Sequence, residues 1–272
     1  MKMAFATCVQ LGLGCIEEIF NIGGSLNLLI TLNDNKGKNK SGRIYLDEIA
    51  KCKNIPLLKI NNINDEEVVQ ALETHEIDWL FIIGWSQIAK KHILNAPKFG
   101  CIGMHPTLLP VGRGRAAIPW AIIKGLPETG VTMFKLDEGV DSGEIFGQQK
   151  IRLSNQTTAT QLYAQANEAH SLLIRKHWHS LLNNSFKLQK QDESMATIWN
   201  GRTPADGEIL SDMAMDEADK LVRATTHPYP GAFYFNGKNI VRVWQAKTCP
   251  NSGTFRLSDG FITPLVFENE EV

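Results

Sequence analysis

The sequence predicts an α/β protein with a mostly parallel sheet, helices on both of its faces, and a small mixed C-terminal domain. Short apolar runs alternate with helical patterns through about residue 128, the order that produces parallel βαβ units. Hydrophobic residues make up 43% of the 272 residues, which is enough for a sizeable core. Beyond Met195 the sequence changes to Gly, Pro and Asp turns between short strands. We therefore expect a Rossmann-like first domain and a smaller second one.

Apolar runs predict the first five strands of the sheet. They are Met3–Cys8, Leu26–Leu32, Leu57–Ile60, Trp79–Ile83 and Cys101–Met104. Helical patterns lie between them at Cys15–Ile22, Leu46–Cys52, Asn64–His75 and Ala89–Leu94, with Asn64 as the predicted N-cap of its helix. The fourth run is apolar throughout, as expected for a central strand that is covered on both faces.

After about residue 128 the pattern predicts two longer strands and a long helix. The strands are Thr129–Leu136 and Glu144–Leu153, and the helix is Thr160–Leu182. The polar residues that follow predict a linker. The predicted domains are therefore residues 1–185 and 195–272, with a linker at 186–194.

Charge and cysteine usage narrow the function classes. The 28 basic and 29 acidic residues leave a net charge of −1, which argues against a protein whose affinity comes from neutralising many phosphates. The five cysteines contain no closely spaced pair, and no apolar run is long enough to span a bilayer. We expect a reduced, cytoplasmic protein with no membrane partner.

Two short motifs have ordinary structural interpretations. Gly12 and Gly14 follow the first strand, but Glu17 occupies the position of the third glycine of a dinucleotide fingerprint. A tight turn into a helix is favoured over a nicotinamide site. His177 and His179 lie two apart on a predicted helix, so they point to different faces. They predict surface histidines and no metal site.

Unlike these two motifs, the stretch between residues 101 and 143 has a pattern that predicts a ligand site. His105 directly follows a buried apolar strand and precedes Pro106, which predicts a position at the carboxyl edge of the sheet, where open α/β sheets bind ligands. A turn rich in Gly and Arg follows, and the acidic, glycine-rich loop 137–143 lies between two predicted strands. We expect these three segments to form one site on the edge loops of the sheet.

These residues carry a family resemblance. The segment CIGMHPTLLPVGRGR (101–115), followed by ETGVTMFKLDEGVDSG (128–143), resembles the signature of the folate-dependent formyltransferases. The segments RTPADGEI (202–209) and RATTHPYPGAF (223–233) resemble the part that follows the catalytic domain in the tRNA and sugar branches of that family. The resemblance implies the formyltransferase fold over nearly the whole chain.

The resemblance also implies catalytic roles. His105 and Asp141 match the active-site His and Asp of the family, with His105 as the base and Asp141 orienting its imidazole. Gly103 stands where the family usually has an Asn that supports the oxyanion. Loss of one such donor can cost about 10²–10³ in rate. We expect another group to replace it.

The implied co-substrate is 10-formyltetrahydrofolate, bound largely through backbone groups and without a metal. The residues implied to bind it are Trp85, Ser86, Gln87, Ile88, Thr107, Leu108, Leu109, Pro110, Leu136, Asp137, Glu138 and Val140. Met104, Arg113 and Arg115 are the expected contacts to the acceptor substrate.

The acceptor amine is predicted less directly. A tRNA acceptor would favour a longer chain and a basic surface, so we expect a nucleotide-linked amino sugar, with a UDP-linked 4-amino-4,6-dideoxy-hexose of pseudaminic-type glycan biosynthesis as the specific prediction. Methionyl-tRNA and a peptide-synthetase-bound amino acid stay open as other acceptors. Two alternatives from a different functional class are a formyl-folate hydrolase and a folate-binding protein. The expected partners are folate and the sugar nucleotide, without nucleic acid, and the suggested assembly is a homodimer.

Overall fold

A computed structural model of the protein describes residues 1–37 and 42–271. They form two compact units. The first consists of Met1–Arg113, Gly130–Ile151 and Ala166–Ile198, and the second of Gly114–Thr129, Arg152–Gln165 and the chain from Trp199 onward.

The strands, in chain order, are β1 (Met3–Ala6), β2 (Leu28–Leu32), β3 (Leu57–Ile60), β4 (Trp79–Ile83), β5 (Gly100–His105), β6 (Arg113–Gly114), β7 (Glu128–Lys135), β8 (Ile145–Arg152), β9 (Ile198–Trp199), β10 (Ala232–Asn236), β11 (Asn239–Cys249), β12 (Phe255–Arg256) and β13 (Phe261–Glu271). The α-helices are α1 (Gln10–Asn21), α2 (Asp34–Gly37), α3 (Asp47–Lys53), α4 (Glu66–Thr74), α5 (Lys91–Leu94), α6 (Ala117–Ile123), α7 (Ala159–Leu182) and α8 (Met215–Thr225).

A seven-stranded sheet in the order β3-β2-β1-β4-β5-β7-β8 forms the centre of the first unit. The strands from β1 to β5 in this sheet pair in parallel, whereas β7 is antiparallel to β5. Side chains cover both faces of the central strands. Phe81 of β4 stacks on Trp178 of α7 on one face, and Leu80 of β4 packs with Val68 and Leu72 of α4 on the other. The predicted sheet with helices on both faces is confirmed.

The prediction of a tight turn at Gly12 and Gly14 was wrong. Both glycines lie inside α1, which begins at Gln10. The sequence signal was misleading because these glycines allow close packing rather than a turn. A Cβ atom on Gly12 would lie 2.0 Å from Oγ1 of Thr7, and one on Gly14 would lie 2.8 Å from Oδ1 of Asn167.

Two smaller predictions also need correction. The N-cap of α4 is Asp65 and not Asn64, because the Asn64 side chain bonds instead to the backbone of Ile88 and Lys90 in the segment after β4. His177 is half-buried, and burial lowers its pKa below the ordinary value, so of these two histidines only His179 is exposed.

The second unit contains an antiparallel sheet in the order β10-β11-β13-β12. Ala218, Leu221 and Val222 of α8 pack against Tyr234 and Val243 of this sheet to form a separate core. The predicted small mixed domain is thus present. Its strand β11 runs for 11 residues, and an irregularity in the pairing with β13 near residue 245 interrupts the alternation of its side chains.

No helix within residues 1–37 and 42–271 combines the length and apolarity needed to cross a membrane. The predicted domain boundaries at residues 185 and 195 stay a prediction.

Candidate active site

The sequence predicted that His105 directly follows the strand. In the structure His105 is instead the last residue of β5. Its side chain is buried, and its Nε2 lies 2.7 Å from the carbonyl oxygen of Gly112. Because a carbonyl oxygen can only accept, Nε2 carries a hydrogen and donates it. In the neutral ring, Nδ1 therefore holds the free lone pair. Nδ1 lies 3.6 Å from Oδ2 of Asp141.

The loop 137–143 reaches His105 by an unexpected route. In the antiparallel pairing of β5 and β7, Thr132 lies beside His105 and Lys135 lies beside Ile102. The end of β7 is therefore near the start of β5, and the loop has to run back along β5 for Asp141 to approach His105. The sequence placed this loop at the carboxyl edge of the sheet because it did not reveal the reversed direction of β7.

The backbone of Asp141 adopts a left-handed conformation, with φ of 52°. Few residues other than glycine adopt this region, and Asp is among those that tolerate it best. Inside the same loop, Oδ1 of Asp137 accepts hydrogen bonds from Oγ of Ser142 at 2.8 Å and from the backbone N–H of Gly139 at 3.1 Å. The loop is therefore folded on itself and is partly held by its own polar groups.

A side-chain network from the predicted linker also holds this loop. Gln191 donates from Nε2 to the carbonyl oxygens of Asp141 at 2.8 Å and Gly143 at 2.7 Å. Its Oε1 accepts from Nε and Nη2 of Arg113. Both terminal nitrogens of Arg113 also bond to the carboxylate of Glu193, and this contact holds the pKa of Glu193 below its ordinary value. The segment around residue 191 is thus tied by its side chains to the rest of the first unit.

Gly103 lies on β5, two residues before His105, and the space beside it is filled. A Cβ atom at Gly103 would lie 2.7 Å from Cδ2 of Leu136 and 3.2 Å from Cε1 of Phe134. The side chain of Leu136 therefore occupies the position that a larger residue at 103 would need. An amide side chain at position 103 would require Leu136 to move.

The segment Thr107–Pro110 is fixed by two polar side chains that the sequence analysis missed. Thr132 is completely buried, donates to the carbonyl oxygen of Thr107 at 2.7 Å and accepts from the N–H of Leu109 at 3.0 Å. Gln148 donates to the carbonyl oxygen of Leu109 at 2.8 Å and to Oγ1 of Thr132 at 2.9 Å. These bonds determine the course of the backbone that follows His105.

The turn after β4 contains four of the predicted folate residues and is also pinned by side chains. Oε1 of Gln87 accepts from Nε1 of Trp85 at 3.1 Å and from the N–H of Ile63 at 2.9 Å. The Asn64 amide donates to the carbonyl oxygen of Ile88 at 2.9 Å. Trp85 is half-buried and Ser86 exposed, while 69% of Ile88 is exposed. The turn therefore presents an apolar surface on a fixed backbone.

Contacts connect this turn to the loop that bears Asp141. Trp85 and Leu136 pack against the same core cluster, and Leu136 also packs against the cluster that contains Leu109. Nζ of Lys91 lies 3.2 Å from Oε1 of Glu138. Val140, like Ile88, is half-exposed. The structure thus brings three of the predicted folate-binding segments together around β5, the third being Thr107–Pro110.

The three residues predicted to contact the acceptor substrate lie in different surroundings. Met104 is buried on β5, and because side chains alternate along a strand it points to the face opposite His105. Arg113 is buried, and its guanidinium bonds to Gln191 and Glu193. Arg115 is exposed in the second unit, where its N–H donates to the carbonyl oxygen of Trp199. The structure does not bring Met104 to the site.

One buried histidine lies within electrostatic reach of His105. The pKa of His170 is lowered to about 4, mainly by burial and in smaller part by the proximity of His105, against the opposing hydrogen bond to Ala166. Nδ1 of His170 donates to that carbonyl oxygen at 2.7 Å. His170 is therefore a neutral neighbour of the site at physiological pH.

The missed residues had unequal sequence signals. Thr132 is a polar residue in an apolar strand, a pattern that often marks a buried hydrogen-bonding role. Gln191 lay in a polar stretch and had no signal that separated it from its neighbours. Within the described parts of the chain, no group of His, Cys, Asp and Glu is arranged to hold a metal ion.

Two family models match this sequence. Residues 30–176 match the family model "Formyl transferase", and residues 202–262 match "Formyl transferase, C-terminal domain". Methionyl-tRNA formyltransferase of Lachnospira eligens is 29% identical over 255 residues, which cover 92% of this chain and 80% of that protein.

Two solved structures are similar over most of both chains. The N-formyltransferase of Helicobacter canadensis, in complex with folinic acid and dTDP-3-aminofucose, has a TM-score of 0.72 at 19% identity and covers 97% of this chain and 99% of that one. A 4-N formyltransferase of Francisella tularensis has a TM-score of 0.67 at 23% identity, with coverage of 86% and 93%. The first family match alone spans more than half of the sequence. The chain therefore belongs to the formyl transferase family, the folate-dependent N-formyltransferases.

Proposed function

We propose that this formyltransferase acts in the cytoplasm on the primary amine of a nucleotide-linked amino sugar, with 10-formyltetrahydrofolate as the donor. The specific acceptor proposed is a UDP-linked 4-amino-4,6-dideoxy-hexose used for surface-glycan or glycoprotein biosynthesis. One observation carries the chemistry. His105 and Asp141 face each other at 3.6 Å, with Nε2 of His105 already bonded to Gly112.

The assigned hydrogen on Nε2 determines what His105 can do. The neutral ring can accept a proton only at Nδ1, the atom that faces Asp141. An amine must lose a proton to become an amide, and Nδ1 is the ring atom of His105 that can receive it. The carboxylate of Asp141 would then stabilise the resulting imidazolium. The distance of 3.6 Å between Nδ1 of His105 and Oδ2 of Asp141 exceeds hydrogen-bond length. Catalytic contacts of this kind often shorten when substrate binds.

The residues around β5 fit a folate. When bound, 10-formyltetrahydrofolate supplies an activated one-carbon group. The exposed apolar side chains of Ile88 and Val140, with half-buried Trp85 and Leu136, offer a surface for a flat ring. The backbone groups of residues 85–88, 107–110 and 136–140 would contact the polar edges of that ring.

The acceptor class rests on charge and on fold. The net charge of −1 is not suited to a polyanionic acceptor. Solved neighbours of this fold include an enzyme in complex with a dTDP-linked amino sugar. A second candidate, methionyl-tRNA, is favoured by the sequence relative of that name, which matches 92% of this chain.

A formylation assay tests the proposal. The enzyme would be incubated with 10-formyltetrahydrofolate and a panel of UDP-, dTDP- and GDP-linked amino sugars, and products would be identified by mass spectrometry. We expect a mass gain of one formyl group on a 4-amino sugar nucleotide, with His105→Ala as the inactive control.

Other outcomes identify the alternatives. Formylation of methionyl-tRNA, with binding that depends on the methionyl group at physiological salt, would replace the sugar by the tRNA acceptor. Formylation of a carrier-bound amino acid would indicate a peptide-synthetase partner. Release of formate without any acceptor would identify a hydrolase, and folate binding without turnover would contradict an enzymatic role.

A further inference from the structure

The position of Asp141 is supported in part from outside its own loop. Its backbone is left-handed, and its loop runs back along β5 from the far end of β7. The side chain of Asp141 retains 20% exposure, so burial alone does not fix it. A conformation of this type persists where surrounding groups determine it.

Gln191 supplies that support through two hydrogen bonds. Its Nε2 donates to the carbonyl oxygens of Asp141 and Gly143, at 2.8 and 2.7 Å. These carbonyls flank the turn that directs the Asp141 carboxylate toward Nδ1 of His105. Both N–H groups of the amide are thereby used within the loop.

The orientation of the Gln191 amide is itself determined. Its Oε1 accepts from Nη2 of Arg113 at 2.7 Å and from Nε at 3.1 Å. Arg113 has only donors, so rotating the amide by 180° would set its N–H groups against the guanidinium. Arg113 is buried and is anchored by Glu193 at 2.6 and 2.8 Å. The order Glu193, Arg113, Gln191, Asp141 is therefore a directional chain of hydrogen bonds.

We infer that Gln191 is a positioning residue for formyl transfer, which holds the Asp141 carboxylate against His105 while Arg113 determines the orientation of the Gln191 amide. This inference rests on the catalytic roles proposed above for His105 and Asp141. Gln191 acts through the loop backbone and needs no contact with substrate.

Gln191→Glu tests the role because it preserves the shape and the acceptor for Arg113 but replaces the donors by a carboxylate oxygen. That oxygen would repel the two loop carbonyls. We expect kcat to fall at least about tenfold, a fraction of the 10²–10⁴ that general acid–base catalysis supplies. Gln189→Glu is the matched control, because Gln189 is exposed two residues earlier and makes the same change in charge. It should retain wild-type kcat.

A double-mutant cycle separates positioning from a merely structural role. If Gln191 acts through Asp141, Gln191→Glu should change kcat by less than about twofold when Asp141→Asn is already present. An equal loss in both backgrounds would overturn the inference, as would wild-type kcat in the single variant. Thermal unfolding reports whether the variants are folded. If Gln191→Glu does not fold, Gln191→Met repeats the cycle without adding a charge.

The cycle also separates this inference from the proposed function. Wild-type turnover by Asp141→Asn would refute the catalytic role of Asp141, and the positioning role would fall with it. An inactive Asp141→Asn beside a fully active Gln191→Glu would refute the positioning role alone.

Discussion

The two members of the candidate catalytic pair are held by different means. His105 ends a central strand, and a backbone carbonyl seven residues later fixes its ring. Asp141 lies on a loop with left-handed backbone and depends on Gln191, 50 positions away in sequence. One half of the site is thus fixed by the sheet and nearby backbone, and the other by polar side chains from distant segments. Distant substitutions should therefore affect the Asp141 half more.

The largest expected effect is removal of either member of the pair. His105→Ala and Asp141→Asn should each lower kcat at least about 100-fold, the lower end of the usual contribution of general acid–base catalysis. Steady-state formylation of the accepted amine measures this. Both variants should fold normally, as checked by circular dichroism. Near-wild-type turnover by one of them would break the comparison, because that residue would not belong to the pair.

The second prediction concerns acid stability at His170, the buried neighbour of His105 on α7. Burial lowers the pKa of His170 to about 4, so between pH 6.5 and 4 the unfolded chain binds a proton that the folded chain does not. The contribution of His170 to stability is intact above about pH 6.5 and is lost as pH falls toward 4. The loss amounts to about 3 kcal/mol, at about 1.4 kcal/mol per pKa unit.

Urea unfolding at several pH values measures this loss. His170→Asn should flatten the dependence of the unfolding free energy on pH between 4 and 6.5. The exposed His179 provides the control, since His179→Asn should leave that dependence unchanged. An equally steep dependence in His170→Asn would assign the acid sensitivity to other groups.

The third prediction concerns the segment that follows His105. Thr132→Val keeps the shape but removes the hydroxyl that bonds to Thr107 and Leu109. Leaving these buried groups unpaired should cost about 2 kcal/mol of unfolding free energy. Thr129→Val on the same strand is the control, because within the described residues its hydroxyl has no hydrogen bond that Val would remove. Equal denaturation midpoints for both variants would contradict the role of Thr132.

The smallest expected effect is that of Gly103→Asn. The new Cβ would lie 2.7 Å from Cδ2 of Leu136, and because that atom is the end of a flexible side chain the clash can relax in part. We expect kcat to fall about tenfold with folate affinity retained. Adding Leu136→Ala should recover part of the loss. A gain of about a hundredfold in the single variant, within what one oxyanion donor supplies, would show that the natural site simply lacks its donor.

Sequence and structure agree best where local pattern is sufficient. The runs Leu57–Ile60 and Trp79–Ile83 are strands with the predicted bounds, because unbroken apolar runs between turns have few alternatives. The glycines in α1 misled the prediction because their contacts come from Thr7 and Asn167, which local pattern does not reveal.

The same distinction applies to the site. His105 could be placed from its strand and Asp141 from the family motif. The reversal of β7 and the role of Gln191 could not, because both depend on which distant segments meet in space. Polar residues in a stretch without regular pattern look alike until their partners are known.

The contact between Gly103 and Leu136 also constrains how this site could be redesigned. An engineer who introduces an amide at 103 first meets a steric clash. One who shortens Leu136 first leaves an empty volume beside Phe134 and gains no donor. Each single change is therefore expected to be worse than both the starting enzyme and the double variant. Libraries that vary one position at a time would discard both steps, so the two positions should be varied together, as a single unit of sequence.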